Sequence, residues 1–80
     1  MMRLNMTVDK VKALLAAEFS NAEIDVDGEG AKYSVAIVSD VFAGKRAVAR
    51  QQMVYSVLND HIASGEIHAV TMSLKTSEEA

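Results

Sequence analysis

Cysteine and proline are both absent from the 80-residue chain. Without cysteine there is no disulfide, no thiolate nucleophile and no metal site built from the chain's own thiolates. Any metal must be held by His, Asp or Glu, or by ligands that a partner lends. With no proline and only four glycines there is also no Pro-rich, Gly-rich or repetitive linker. Half of the residues are hydrophobic and 24% are charged, which is a globular composition rather than a disordered one. Cations are the minority: eight Lys and Arg stand against eleven Asp and Glu, for a net charge of −3. That balance argues against a nucleic-acid footprint spread over the whole domain, though it leaves room for a local basic patch. No apolar run approaches the ~20 residues that cross a bilayer, and the stretch from Met1 to Met6 lacks the apolar core of a secretory signal. The expectation is one soluble cytoplasmic domain over 1–80, with about 1–6 and 76–80 flexible. At this size only about 60% of the unfolded chain's surface is buried on folding, so most apolar positions are committed to the core.

Thr7 is placed to cap a first helix carrying Val8, Val11, Leu14, Leu15 and Phe19 at helical spacing. After Asn21, the residues Ala22, Ile24 and Val26 alternate with Glu23, Asp25 and Asp27, the pattern of a half-exposed strand. Asp27-Gly28-Glu29-Gly30 reads as a hairpin turn. On the returning strand Tyr33, Val35 and Ile37 share one face, while Ala36 and Val38 occupy the other, which suggests a central strand covered on both sides. A long helix from about Ala47 to Ala63 directs Val54, Leu58 and Ile62 inward and ends at Gly65. A third strand follows over Ile67 to Leu74, with Val70, Met72 and Leu74 on the face that carries His68. Two strands joined through a helix form a parallel pair, and two joined by a tight turn form an antiparallel one. The predicted fold is therefore α+β: helix-strand-strand-helix-strand, with a three-stranded mixed sheet and both helices on one face.

Two segments bear chemistry. Phe42-Ala43-Gly44-Lys45-Arg46 sets Lys45, Arg46 and Arg50 at the start of the second helix, where the positive end of the helix dipole makes cations unfavourable. An anion docked there would reconcile the arrangement, because helix N–H groups and cations would converge on it; the other reading is a solvated helix start. Ile67-His68-Ala69-Val70 sets one histidine at the start of a strand. A lone histidine there is ordinarily a hydrogen-bonded structural residue, yet exposure beside a glycine turn keeps a ring nitrogen available to a metal. Spacing alone leaves both pairs of readings open. His61 reads as a surface or boundary residue. Glu23, Asp25, Asp27 and Glu29 read as a solvated acidic edge that discourages strand-to-strand aggregation rather than as a metal site. No serine sits in a nucleophile context, and none pairs by spacing with a histidine and a carboxylate.

Val41-Phe42-Ala43-Gly44-Lys45-Arg46, the helix Gln51 to Leu58, and Ile62-Ala63-Ser64-Gly65-Glu66-Ile67-His68-Ala69-Val70 together resemble the BolA-like proteins, in particular their bacterial IbaG branch. The resemblance runs from the first helix to Thr76. It implies a fold similar to class II KH domains, which agrees with the element order read from periodicity, and a protein that is not an enzyme. It further implies a monothiol glutaredoxin as partner and a bridging 2Fe-2S cluster, for which the histidine of the Ile-His-Ala motif is a family ligand. His68 matches that position. The other ligands would come from the glutaredoxin cysteine and from glutathione, so no cofactor is expected on the isolated chain, which would be a monomer or weak dimer. Imidazole in place of thiolate raises a cluster's potential, which suits transfer or iron and acid-stress signalling. Many family members add a histidine or cysteine in the first hairpin, but here the loop from Gly28 to Tyr33 offers neither. The rival reading is a DNA-binding transcriptional regulator that uses Lys45, Arg46 and Arg50, with Lys75 nearby. The acidic total and the lack of a Gly-x-x-Gly loop or exposed stacking aromatics weigh against it.

Overall fold

The Thr7 hydroxyl does cap the first helix, accepting the Lys10 backbone N–H at 3.2 Å. In the computed structural model, which describes residues 6–80, α1 spans Val8–Glu18. Val11 and Leu15 are buried on its inner face, and Phe19 is buried just past its end. The chain continues through β1 (Glu23–Glu29), β2 (Lys32–Val38), a single 3-10 turn (Asp40–Phe42), α2 (Ala47–Ala63) and β3 (Ala69–Lys75). β1 pairs antiparallel with β2, β2 pairs parallel with β3, and the strand order is β1-β2-β3. Element order, sheet topology and mixed pairing all match the sequence expectation.

The hairpin turn lies two residues beyond its expected start. β1 runs through Gly28 to Glu29, and the reversal falls on Gly30 and Ala31. Gly30 takes φ +63°, the left-handed conformation that a tight hairpin needs at its first central position. Gly28 serves a different purpose. A Cβ there would lie 2.7 Å from Cδ1 of Tyr33, so this glycine lets the Tyr33 ring lie across the strand. The Tyr33 hydroxyl then donates to the Met6 carbonyl at 2.9 Å, a buried bond that ties the entry of α1 to the sheet.

One core forms between the helices and the sheet. It holds Val11, Leu15 and Phe19 from α1 and its end, Ile24, Tyr33, Val35 and Ile37 from the hairpin, and Phe42, Val54, Leu58 and Ile67. Phe42 is fully buried and meets the Phe19 ring at 5.8 Å between centroids. Ile62, Val70, Met72 and Leu74 pack against this core half-buried. β2 is central, as expected, but it is not covered on both sides. Its second face, with Ser34 exposed and Ala36 half-buried, stays open beside Thr71 and Ser73 of β3. Glu23, Asp25, Asp27 and Glu29 are exposed along the outer strand of the sheet, which is the protective edge that alternation implies.

The expected frayed end at 76–80 is corrected. Thr76 is buried, and the residues after it fold into a turn in which the Glu79 and Ala80 N–H groups both donate to the Thr76 carbonyl at 3.1 Å. The Ser77 hydroxyl and backbone N–H reach Asp40 Oδ1 at 2.6 and 3.2 Å. At the other terminus Met6 belongs to the core, and 1–5 lie outside the described residues. No helix among the described residues is long and apolar enough to cross a membrane.

Candidate ligand site at His68 and the basic start of helix two

His68 stands one residue before β3 with its backbone held from two directions. Its N–H donates to the Ala31 carbonyl at 2.8 Å, and the Ala69 N–H reaches the same oxygen at 3.5 Å, so the hairpin turn and the start of β3 are tied together. On the other side Ile67 is buried in the core and donates its N–H to the His61 carbonyl at 3.1 Å. The His68 side chain is exposed. It borders an open groove of about 710 Å³ that is also lined by Asp27, Glu29, Gly30, Lys32 and Ser34. A fixed backbone and a free imidazole are the requirements of a ligand presented outward.

The loop leading to His68 is fastened by a small polar cluster. The Ser64 hydroxyl donates to Glu66 Oε1 at 2.8 Å, and His61 Nδ1 lies 3.1 Å from the same oxygen. The Ser64 bond first, and His61 second, hold the Glu66 carboxyl below its ordinary range. His61 is thus a boundary residue committed to Glu66. The Ser64 hydroxyl meets the carboxylate and the His61 backbone carbonyl, the latter at 3.0 Å, but not the His61 ring, so the cluster is no nucleophilic triad.

Among the described residues no three His, Asp or Glu side chains lie close enough together to hold a metal ion. The donors that line the groove are one imidazole and the hairpin carboxylates Asp27 and Glu29, which do not converge with it on one metal ion. That set does not fit an iron–sulfur cluster held by this chain alone. It does fit a single nitrogen contributed to a cluster whose other ligands come from elsewhere.

The structure separates the three cations that the sequence groups together. Lys45 and Arg46 are exposed, but Arg50 turns inward. Its Nε donates to the Lys45 carbonyl at 2.9 Å, its Nη1 to the Leu74 carbonyl at 3.1 Å, and its two terminal nitrogens take the Glu79 carboxylate at 2.7 and 3.3 Å. Its guanidinium carbon stands 5.8 Å from the centre of the Phe42 ring. Arg50 is therefore a clasp joining α2, β3 and the C-terminal turn, and the expected anion site of Lys45, Arg46 and Arg50 loses its third member. Arg50 holds the Glu79 carboxyl down to about 2, with a bond from the Thr76 N–H as the second cause. The sequence analysis missed Glu79, Asp40 and Ser77 as structural partners, and nothing local to them signals contacts 29 and 37 residues away.

The fold is thus a small α+β domain with a three-stranded mixed sheet, two helices on one face and an exposed histidine just before the parallel strand. Residues 16–79 match the family described as BolA-like protein, and the chain belongs to that family. It is 47% identical over 74 residues to a protein from the rpoN–murA intergenic region of Acinetobacter guillouiae, covering 92% of this chain and 89% of that one. It is 34% identical to the acid stress protein IbaG of Escherichia coli, covering 92% and 88% of the two chains. The solved BolA domain of SufE1 from Arabidopsis thaliana superposes with a TM-score of 0.83 at 28% identity, covering 98% of this chain and 100% of that domain.

Proposed function

We propose that this BolA-like protein is a non-enzymatic cytoplasmic adaptor that pairs with a monothiol glutaredoxin and contributes His68 to a shared 2Fe-2S cluster, in cluster transfer or in iron and acid-stress signalling. The observation that carries the reading is the exposed imidazole on a backbone fixed to Ala31 and His61, in a chain with no cysteine. As a metal ligand, a lone nitrogen donor serves where a partner completes the coordination. Kinship with an acid stress protein agrees with the signalling branch of the proposal. Co-purification with a monothiol glutaredoxin, iron, sulfide and glutathione tests it. The wild-type complex is expected to show a visible absorption and circular dichroism spectrum that changes in His68→Ala. Since His68 is exposed, that variant keeps its fold, and identical spectra reject the ligand role. The rival reading, DNA binding through the start of α2, is weakened because Arg50 is committed to Glu79 and two carbonyls.

A further inference from the structure

Among the described residues β3 is an outer strand, paired on one side only, and the hydrogen bonds at its ends reveal which way its backbone faces. The Ala69 N–H bonds to Ala31, and the Lys75 carbonyl accepts the Ser39 N–H at 2.9 Å. These odd-numbered residues therefore direct their backbone groups toward β2 and its flanks. Alternation turns Val70, Met72 and Leu74 to the other side. Arg50 confirms this, since its Nη1 reaches the Leu74 carbonyl from outside the sheet. That leaves the N–H groups of Val70, Met72 and Leu74 and the carbonyls of Val70 and Met72 along the free edge, a template for one more strand. The acidic residues that protect the opposite edge, on β1, have no counterpart on β3, whose only charged residue is Lys75.

A groove of about 470 Å³ runs beside this edge, between it and the first turns of α2, with Lys45, Arg50, Gln51, Met72, Lys75 and Glu79 among its lining residues. Lys75 belongs to the open face of the sheet and Lys45 to the helix side, both exposed, so cations flank the end of β3 on either side. The groove already holds one carboxylate, that of Glu79 on Arg50.

We infer that the free edge of β3 is a docking site for an extended acidic segment of a partner protein, which adds to the sheet as a fourth strand. Main-chain bonds to Val70, Met72 and Leu74 supply the affinity. Neighbouring carboxylates at one end of the segment, pointing to opposite faces as strand geometry requires, meet Lys45 and Lys75. A second copy of this chain fits less well. An antiparallel pair centred on Met72 would set Val70 against Leu74 of the other copy, whose carbonyl is already bonded to Arg50. The inference stands apart from the ligand role of His68 and is tested without iron.

The probe is a blocked heptapeptide with two glutamates followed by alternating valine and threonine, titrated into the isotope-labelled full chain. Two controls accompany it, one with lysines in place of the glutamates and one with a central proline. The acidic peptide is expected to slow amide exchange at Val70, Met72 and Leu74 at least tenfold and to leave β1 unchanged; neither control should do so. Lys45→Glu combined with Lys75→Glu, both at exposed positions, should weaken the acidic peptide at least tenfold while circular dichroism stays that of the wild type. Met72→Pro, which removes an outward N–H, should abolish protection. Four results overturn the inference: no protection at millimolar peptide, equal binding by the lysine peptide, binding mapped to the open sheet face, or concentration-dependent protection of the same amides in the chain alone.

Discussion

Replacing Arg50 by alanine removes several contacts at once, and they differ in weight. The pair with Glu79 has a carboxylate side chain 47% exposed, so water and salt screen it and it counts for little. The bond to the Lys45 carbonyl is also exposed, and water replaces it. The bond to the Leu74 carbonyl is partly buried, and a charged donor lost from such a site costs about 1.5–3 kcal/mol. The cation over the Phe42 ring adds roughly 0.5–1 kcal/mol. These terms overlap, and a destabilisation of about 2–3 kcal/mol is expected. In a domain of 60–100 residues each kcal/mol moves Tm by about 4–8 °C, so Arg50→Ala should melt roughly 10–20 °C below the wild type. Urea unfolding measures the free energy directly. Arg50→Lys should recover less than half of the loss, because an ammonium cannot fork between a carbonyl and a carboxylate. Glu79→Gln should be much milder than Arg50→Ala at neutral pH. The reasoning fails if Arg50→Ala falls within about 0.5 kcal/mol of wild type, the range of an ordinary surface change, or if Glu79→Gln is as damaging.

Glu79 also contributes an acid dependence, kept small by the same exposure to solvent. Its carboxyl lies below its ordinary value of 4.5 in the fold, at about 2, so the stability it contributes is present above about 4.5 and is lost as pH falls toward 2; Asp40, lowered by Ser77, acts in the same direction. Urea midpoints measured from pH 6 to pH 2 should fall less steeply in Glu79→Gln, and coincident slopes would remove Glu79 from the account. Gly28→Ala places a methyl 2.7 Å from the Tyr33 ring and should cost about 1–3 kcal/mol by overpacking; a stability equal to wild type would mean the ring shifts without strain. Tyr33→Phe deletes the bond to the Met6 carbonyl, and a loss of about 0.5–1.5 kcal/mol is expected in the same assay.

How far the sequence could be read depended on the range of the interactions. The stripe of α1, the alternation of β1 and β2 and the inward residues of α2 are periodic, and they emerged in their expected elements with Val11, Leu15, Ile37, Val54 and Leu58 all buried. The turn was displaced because Gly28 and Gly30 look alike in sequence. One serves close packing and the other a left-handed φ, and only the ring of Tyr33 separates them. Arg50 was legible as a cation at a helix start but not as a clasp, because Leu74 and Glu79 lie 24 and 29 residues away. The same distance made the end of the chain look loose. His68 was legible as the head of a strand, while the Ala31 carbonyl that anchors it follows from a turn position the sequence misassigned.

The placement of these contacts bears on how β3 can serve a partner. Its head is fixed through Ile67 to His61 and through His68 to Ala31, and its tail through Lys75 to Ser39 and through Leu74 to Arg50. A strand pinned at both ends does not need a partner to order it, so association avoids much of the entropy that ordering a loose segment would cost. The fixed backbone carries an imidazole at one end that makes no hydrogen bond or ion pair among the described residues and, among them, cannot complete a metal site alone. A partner supplying the remaining ligands would meet that nitrogen already in position. Its gain on binding would then come from coordination rather than be spent on shaping the site. Loss of the His68 imidazole should for that reason alter the joint spectrum without altering the stability of the free chain, whereas loss of Arg50 should do the reverse to the free chain.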